Sequence, residues 1–333
     1  MTPYFASSDV TIYCADSRTA WERLPEHSAD AIVTSPPYFG LRDYGHDGQL
    51  GLEPSPDEYV TDLADLLTGY GERVLKPGGS LWLNLGDTYA AAGYGDSRTS
   101  EQKAARSTLG PKRDGLGGDN LAHKANAYGR RSVTPGFPSK CLLMIPERVA
   151  LALIGRGWIL RNRVVWAKPN GMPSSVTDRL ATKHEALFHF VRQPRYYYDL
   201  DAIREPHAEV SVKRGTSSFQ AKSPYVQTDD RPQMGERWLN EAGKNPGDVW
   251  TVPTSPYPDA HFAVFPPELV RRPILATVPE GGTVLDPFFG SGTTGVMARR
   301  LGRKAVGVEL SETYCELAAK RFQQEVFDFG GAA

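Results

Sequence analysis

Cysteine is scarce in this chain of 333 residues: Cys14, Cys141 and Cys315 lie far apart and form no metal-spaced pair. Cys14 and Cys315 fall in apolar settings where packing is the ordinary use of a thiol, so no metal site is expected. Long apolar runs are missing as well. Nothing approaches the roughly 20 apolar residues that a membrane span needs, and the opening MTPYFASSDV has no basic-then-apolar signal pattern. The expectation is a soluble intracellular protein with no membrane partner. A charge excess of either sign is also absent, the formal net charge being −1, which alone argues neither for nor against nucleic acid. No internal repeat is apparent.

The distribution of charge says more than its sum. Residues 1–60 carry ten Asp or Glu against three Arg, whereas residues 97–140 carry nine Lys or Arg against three acids. The second segment, with STLGPKRDGLGGDNLAHKANAYGRRSVTPG at its heart, is rich in glycine and lacks a hydrophobic period. It reads either as a solvated surface insertion or as a basic arm tracking phosphates, with Lys124, Arg130 and Arg131 as candidate contacts. Residues 199–256 form another polar, turn-rich stretch, with charges near balance and Phe219, Tyr225, Trp238 and Trp250 scattered through it.

Outside these two stretches, strands alternate with helices. Val10–Cys14, Ala29–Val33 and Ser80–Leu85 read as strands. Apolar spacing at Tyr59, Leu63, Leu66, Leu67, Tyr70 and Val74 predicts a helix over 56–75, stopped by Lys76-Pro77-Gly78-Gly79. A helix over 146–156, strands over 158–166 and 185–191, and a closing helix–strand–helix–strand–helix run from Pro266 to Val326 complete the pattern. Such alternation implies an α/β fold with a mostly parallel sheet covered on both faces. The chain is longer than a typical single domain, and its 40% hydrophobic content supports a sizeable core. Residues 1–87, 140–198 and 257–333 are expected to form the main domain, with 88–139 and 199–256 as excursions from it.

Two loops carry the chemistry. Thr34-Ser35-Pro36-Pro37-Tyr38 leaves one apolar strand, and Asp286-Pro287-Phe288-Phe289-Gly290-Ser291-Gly292-Thr293-Thr294 leaves another and opens a helix. Both are therefore at carboxyl ends of strands, where open α/β sheets bind ligands. Gly290, Gly292 and Gly295 fit G-x-G-x-x-G, and Glu309 ends the next strand, where a carboxylate can accept hydrogen bonds from ribose hydroxyls. Taken literally, the pattern suggests a dinucleotide. However, the 24 residues after Glu309 leave room for one helix and no further strand, so earlier strands must complete the sheet in a permuted order. Asp286 also suits a cationic group and would repel a pyrophosphate. S-adenosylmethionine, with an α-ammonium and no phosphate, fits better than NAD, although an NAD-linked oxidoreductase remains the more distant alternative.

DPFFGSGTT resembles the FxGxG cofactor motif of S-adenosylmethionine-dependent DNA amino-methyltransferases, and TSPPY resembles their (D/N/S)PP(Y/F/W) catalytic motif. The order, catalytic motif first and cofactor motif last, is similar to the β class of that family. The resemblance covers about residues 9–87, 140–198 and 257–326. It implies a Rossmann-like methyltransferase sheet, mostly parallel with an antiparallel strand at the C-terminal edge, carrying an inserted target-recognition region. It further implies that Phe288 (or its neighbour Phe289), Gly290, Gly292, Thr293 and Thr294 embrace the methionine part of the cofactor, with Asp286 near its amino group. Glu309 would bind the ribose. Asp16 would lie near the adenine, its other reading being a helix N-cap. Phe265 belongs to the segment Asp259–Pro266, which resembles the approach to the cofactor from its other side.

An exocyclic base amine is a poor nucleophile, because its lone pair is delocalised into the ring. Ser35 Oγ and the Pro36 carbonyl can accept its hydrogens, Pro36 and Pro37 making the backbone rigid, and Tyr38 can stack on the base. Direct methyl transfer needs no covalent cysteine adduct. The base must be flipped from duplex DNA to reach such a pocket. Serine at position 35 resembles the cytosine-N4 enzymes more than the adenine-N6 enzymes, which remain the alternative. The implied setting is the bacterial or phage-infected cytoplasm, at the nucleoid, as a monomer or homodimer. A cognate restriction endonuclease acting on the same sequence is a candidate partner.

Overall fold

The computed structural model describes residues 1–46, 48–90, 134–171, 174–208, 240–254 and 265–328. Nine strands form one sheet: β1 (Phe5–Ala6), β2 (Val10–Cys14), β3 (Ala29–Thr34), β4 (Leu75–Leu85), β5 (Ile159–Ala167), β6 (His184–Val191), β7 (Val249–Thr251), β8 (Thr283–Asp286) and β9 (Lys304–Glu309). Their spatial order is β1-β2-β9-β8-β3-β4-β6-β5-β7. The helices are α1 (Ser17–Ala20), α2 (Pro56–Arg73), α3 (Ile145–Gly155), α4 (Pro267–Thr277), α5 (Thr293–Arg300) and α6 (Glu312–Asp328).

The expected doubly covered sheet is present. β2, β9, β8, β3 and β4 run parallel in that order. β1 pairs antiparallel with β2 at one edge. Toward the other edge, β6 pairs antiparallel with both β4 and β5 and lies two places inside, since β5 and then β7 add outside it. The outermost of these, β7, comes from residues 240–254, which are not part of an excursion. Val249 and Thr251 flank Trp250, which is 6% exposed and packs into the core, so an aromatic and β-branched triplet returns to the sheet.

Side-chain alternation explains the two-sided covering. Ile32, Leu81, Leu83 and Leu85 face the core shared with α2 and α3, whereas Ala31, Val33 and Trp82 face the core under α4, α5 and α6. Ser55 caps α2 by accepting from Glu58 N at 3.2 Å, with Pro56 at the first helical position. The KPGG run stops that helix as expected, but it is not a loop. It lies inside β4 as an irregularity, where the register shifts between Ala29↔Leu75 and Ala31↔Ser80. Lys76 Nζ holds Asp30 there at 2.8 Å.

Gly71 offers a test of this packing, because a Cβ there would lie 2.2 Å from Trp158 Cζ2. Gly→Ala inside a helix ordinarily gains about 1 kcal/mol, but overpacking a filled core costs typically about 1–3 kcal/mol. The ring of Trp158 is 2% exposed and cannot retreat. Gly71→Ala is therefore expected to lower the unfolding free energy, by roughly 1 kcal/mol net, as a reduced urea midpoint at unchanged slope.

Candidate active site

The two loops, 250 residues apart in sequence, are neighbours because β3 and β8 pair directly through Ala31↔Val284 and Ile32↔Leu285. Asp286 joins them. Its Oδ1 accepts from Thr34 Oγ1 at 2.6 Å and from Phe288 N at 3.0 Å, and its Oδ2 accepts from Thr294 Oγ1 at 2.7 Å. The residue is 4% exposed. Burial pushes its carboxyl up to about 6, against the pull of those three donors. The carboxylate thus ties the two loops together: the last residue of a central strand, flanked in space by two threonines, takes three donors from within the chain.

The cleft opens at the carboxyl ends of β2, β3, β8 and β9. Its wall includes Asp16, Arg18, Ser35, Pro37, Phe288, Gly290, Ser291, Glu309 and Tyr314. Gly290 and Gly292 have φ of 52° and 83°, the left-handed region that glycine tolerates, and this turns the chain from β8 into α5. A Cβ at Gly290 would meet nothing within 4 Å, so the backbone lies open to the cleft. Glu309 closes the turn, with Oε2 accepting from Gly290 N and Oε1 from Ser311 N, both at 2.8 Å. Burial raises its pKa. Of the two aromatics, Phe288 faces the cleft. Phe289 is 3% exposed and stacks on Phe322 with centroids 6.1 Å apart, over the space that Gly307 leaves.

Gly292, Thr293 and Thr294 are buried behind the cleft at the start of α5 and support it from within. Phe265 packs against the core beside α4 and does not line the cleft; the rest of its segment, 259–264, lies outside the described residues. Asp16 is the N-cap of α1, its Oδ1 accepting from Arg18 N at 2.9 Å, and the same carboxylate pairs with Arg18 Nη2 at 2.6 Å while lining the cleft.

In the catalytic loop, Pro36 is buried and Ser35, Pro37 and Tyr38 are half-buried. Tyr59 Oη donates to the Pro37 carbonyl at 2.8 Å. Among the described residues, the Pro36 carbonyl accepts no backbone hydrogen bond. Tyr38 lies against the backbone of Gly86, where a Cβ would come within 2.5 Å of its ring. Its hydroxyl is 2.9 Å from Asn84 Oδ1 and 2.7 Å from Glu185 Oε2. Sequence reasoning missed Asn84, Glu185 and Lys168, and also Arg42, Tyr44 and His46, which line the cleft from the loop after Tyr38. That loop had a signal in its glycines (GLRDYGHDGQLG), whereas Asn84, Glu185 and Lys168 stand singly at strand ends. The basic candidates Lys124, Arg130 and Arg131 lie outside the described residues.

A doubly covered α/β sheet thus brings a Pro-Pro-Tyr loop beside a glycine turn at one cleft, and comparison with known proteins supplies the family. The chain belongs to the DNA methylase family of N6 and N4 methyltransferases, whose model matches residues 29–320. It is 40% identical to the Type II methyltransferase M.SmaI of Serratia marcescens over 93% of this chain and 89% of that one. It is 38% identical to M.Cfr9I of Citrobacter freundii over 95% and 88%. Its fold resembles that of the PvuII DNA methyltransferase, a cytosine-N4-specific enzyme (TM-score 0.61, 20% identity, 98% of this chain and 93% of that one). It also resembles a putative DNA modification methylase of Thermus thermophilus, solved with S-adenosyl-L-methionine (TM-score 0.50, 23% identity, 95% of each chain). No described helix is long and apolar enough to cross a membrane.

The Asp286 clamp has a pH signature. Its native carboxyl near 6 lies above the ordinary 3.8, so between those values the folded chain keeps a proton that the unfolded chain has lost. The contribution of this group to stability is therefore greatest below pH 4 and falls as pH rises to about 6, by up to roughly 3 kcal/mol. Asp286→Asn cannot titrate. Denaturant unfolding of both proteins from pH 4 to 7 is expected to show wild type losing stability relative to the variant through that window; parallel curves would refute the assignment.

Proposed function

We propose that this DNA methylase transfers a methyl group from S-adenosyl-L-methionine to the exocyclic N4 amine of a cytosine flipped out of duplex DNA. The observation that carries the reading is the position of Ser35, a neutral hydroxyl on the wall that also holds Phe288, Gly290 and Glu309. An acceptor for the target amine and the cofactor cleft thus share one space.

The residues present suit the cofactor. Phe288 offers an aromatic surface, the open backbone at Gly290 leaves room for close approach, and Glu309, oriented by two backbone amides, can accept from ribose hydroxyls. Asp16 supplies a carboxylate on the opposite wall. When bound, the cofactor supplies an electrophilic sulfonium methyl. The chain supplies the rest. Ser35 Oγ and the Pro36 carbonyl hold the amine hydrogens so that the nitrogen lone pair points at the methyl, and Tyr38 presents its ring to the base. Positioning and fixed dipoles are the sources of acceleration.

One excursion suits DNA by where it is rooted. Thr88 to Ala90 pair with Cys141 and Leu143 beyond the end of β4, at the end of the sheet that bears Ser35. The other is closed by Glu205 and Lys244, ahead of β7. On this reading the segments 91–133 and 209–239 supply phosphate contacts and base recognition. A restriction endonuclease of the same sequence specificity is the corresponding partner.

Methylation of bacterial DNA with labelled cofactor, followed by nucleoside analysis and base-resolution sequencing, tests the reading. N4-methylcytosine at one short sequence is expected, and N6-methyladenine would overturn the base assignment. Ser35→Ala should slow single-turnover transfer by about a hundredfold, with the calorimetric affinity for cofactor little changed. Neutralising Lys124, Arg130 and Arg131 together should weaken binding to all duplexes alike and flatten its salt dependence by about 0.9 per lost phosphate contact. An unchanged slope would place the phosphate contacts elsewhere.

A further inference from the structure

Ser35 can accept from an amine only if its own hydrogen points away from the cleft. We infer that Glu185, held by Lys168, enforces that direction and is a positioning residue for the target amine. The inference rests on amine methylation beside Ser35, whichever base carries the amine.

Five side chains from four places in the sheet meet here. Ser35 Oγ lies 3.3 Å from Asn84 Oδ1 and 3.3 Å from Tyr38 Oη. Tyr38 Oη lies 2.9 Å from Asn84 Oδ1 and 2.7 Å from Glu185 Oε2. The orientation of Asn84 is fixed, since its Nδ2 donates to the Ala186 carbonyl at 3.1 Å and its Oδ1 therefore faces the loop. The other carboxylate oxygen of Glu185 pairs with Lys168 Nζ, which also sits 4.3 Å from the centroid of Trp166. Burial and the Glu185 carboxylate hold the Tyr38 pKa well above its ordinary value, so this phenol remains a donor.

A phenol has one hydrogen and three acceptors within reach, Asn84 Oδ1, Glu185 Oε2 and Ser35 Oγ. Given to Ser35, it takes up a lone pair that the incoming amine needs; given to Asn84, it competes with the Ser35 hydrogen at the amide oxygen and loosens its inward direction. Given to Glu185, it makes a charge-assisted bond and leaves both inward partners of Ser35, the Asn84 and Tyr38 oxygens, ready to accept. The lone pairs of Ser35 then face the amine. Lys168 secures this outcome, because a cation on Oε1 keeps Oε2 an acceptor for Tyr38. Glutamine would fail for a specific reason: its carbonyl would turn to Lys168, its NH2 would face Tyr38, and the chain would reverse.

The test uses Glu185→Gln in the wild-type and Tyr38→Phe backgrounds, with a duplex containing the sequence found by methylation mapping. Affinity is measured without cofactor for that duplex and for one whose target base has hydrogen in place of the amine. Single-turnover methylation is measured in parallel, and melting temperatures verify folding. In the wild-type background, Glu185→Gln should slow transfer roughly tenfold and erase the preference for the amine-bearing duplex. In the Tyr38→Phe background, where no phenol hydrogen competes, the same substitution should change neither quantity by more than about twofold. Glu185→Ala, which leaves the phenol only Asn84 and Ser35, should reproduce the pattern and provides a second arm if the glutamine variant unfolds. An unchanged rate and preference in Glu185→Gln, or an equal loss in both backgrounds, would overturn the inference. Nucleoside analysis of the same reactions reports separately on cytosine against adenine.

Discussion

One carboxylate holds the site together. Asp286 ends the strand beside β3, and its two oxygens bind Thr34 on the catalytic side and Thr294 on the cofactor side. Each threonine immediately precedes or follows a working loop, so the distance between acceptor and cofactor cleft is set by three short hydrogen bonds in a dry interior. Removing such a group would leave buried hydroxyls without partners, at a cost of about 1–3 kcal/mol each. Glu309 repeats the device one strand further on, with backbone amides in place of hydroxyls. The cleft is thus framed by carboxylates whose positions are fixed by the protein before any ligand arrives.

Much of this was legible in the sequence because it is local. Two prolines after an apolar strand, or glycines between a strand and a helix, announce a loop at a strand end, and the alternation of strand and helix announces the covered sheet. That earlier strands complete the sheet was legible from the short stretch after Glu309, whereas the direct pairing of β3 with β8 emerges only from the structure. Side chains that act alone were not legible. Asn84, Lys168 and Glu185 are single polar residues at the ends of strands, and only the sheet order β4-β6-β5 brings them to Tyr38. The same limit holds for the partners of Asp286, since Thr34 lies 252 positions away in the chain. β7 was hidden by its three-residue length and by the polar sequence around it.

The catalytic loop shows how a rigid backbone and an adjustable network divide the labour. Proline fixes the carbonyl at position 36 without any contribution from neighbours, whereas a hydroxyl at position 35 can rotate and must be told which way to point. The groups around that hydroxyl are spread over β4, β6 and the end of β5, and the segment 91–133 departs just beyond the same end of β4.

The closed roots of the two polar segments govern how the sheet responds to changes of length. Ala90 and Cys141 are joined at 2.7 Å, and Glu205 and Lys244 exchange hydrogen bonds of 3.0 and 2.8 Å, before either intervening stretch begins. Because the ends are tied independently of what lies between them, the entropy of closure changes only slowly with the length inserted. Insertions and deletions within residues 91–133 and 209–239 are then tolerated with little consequence for the sheet.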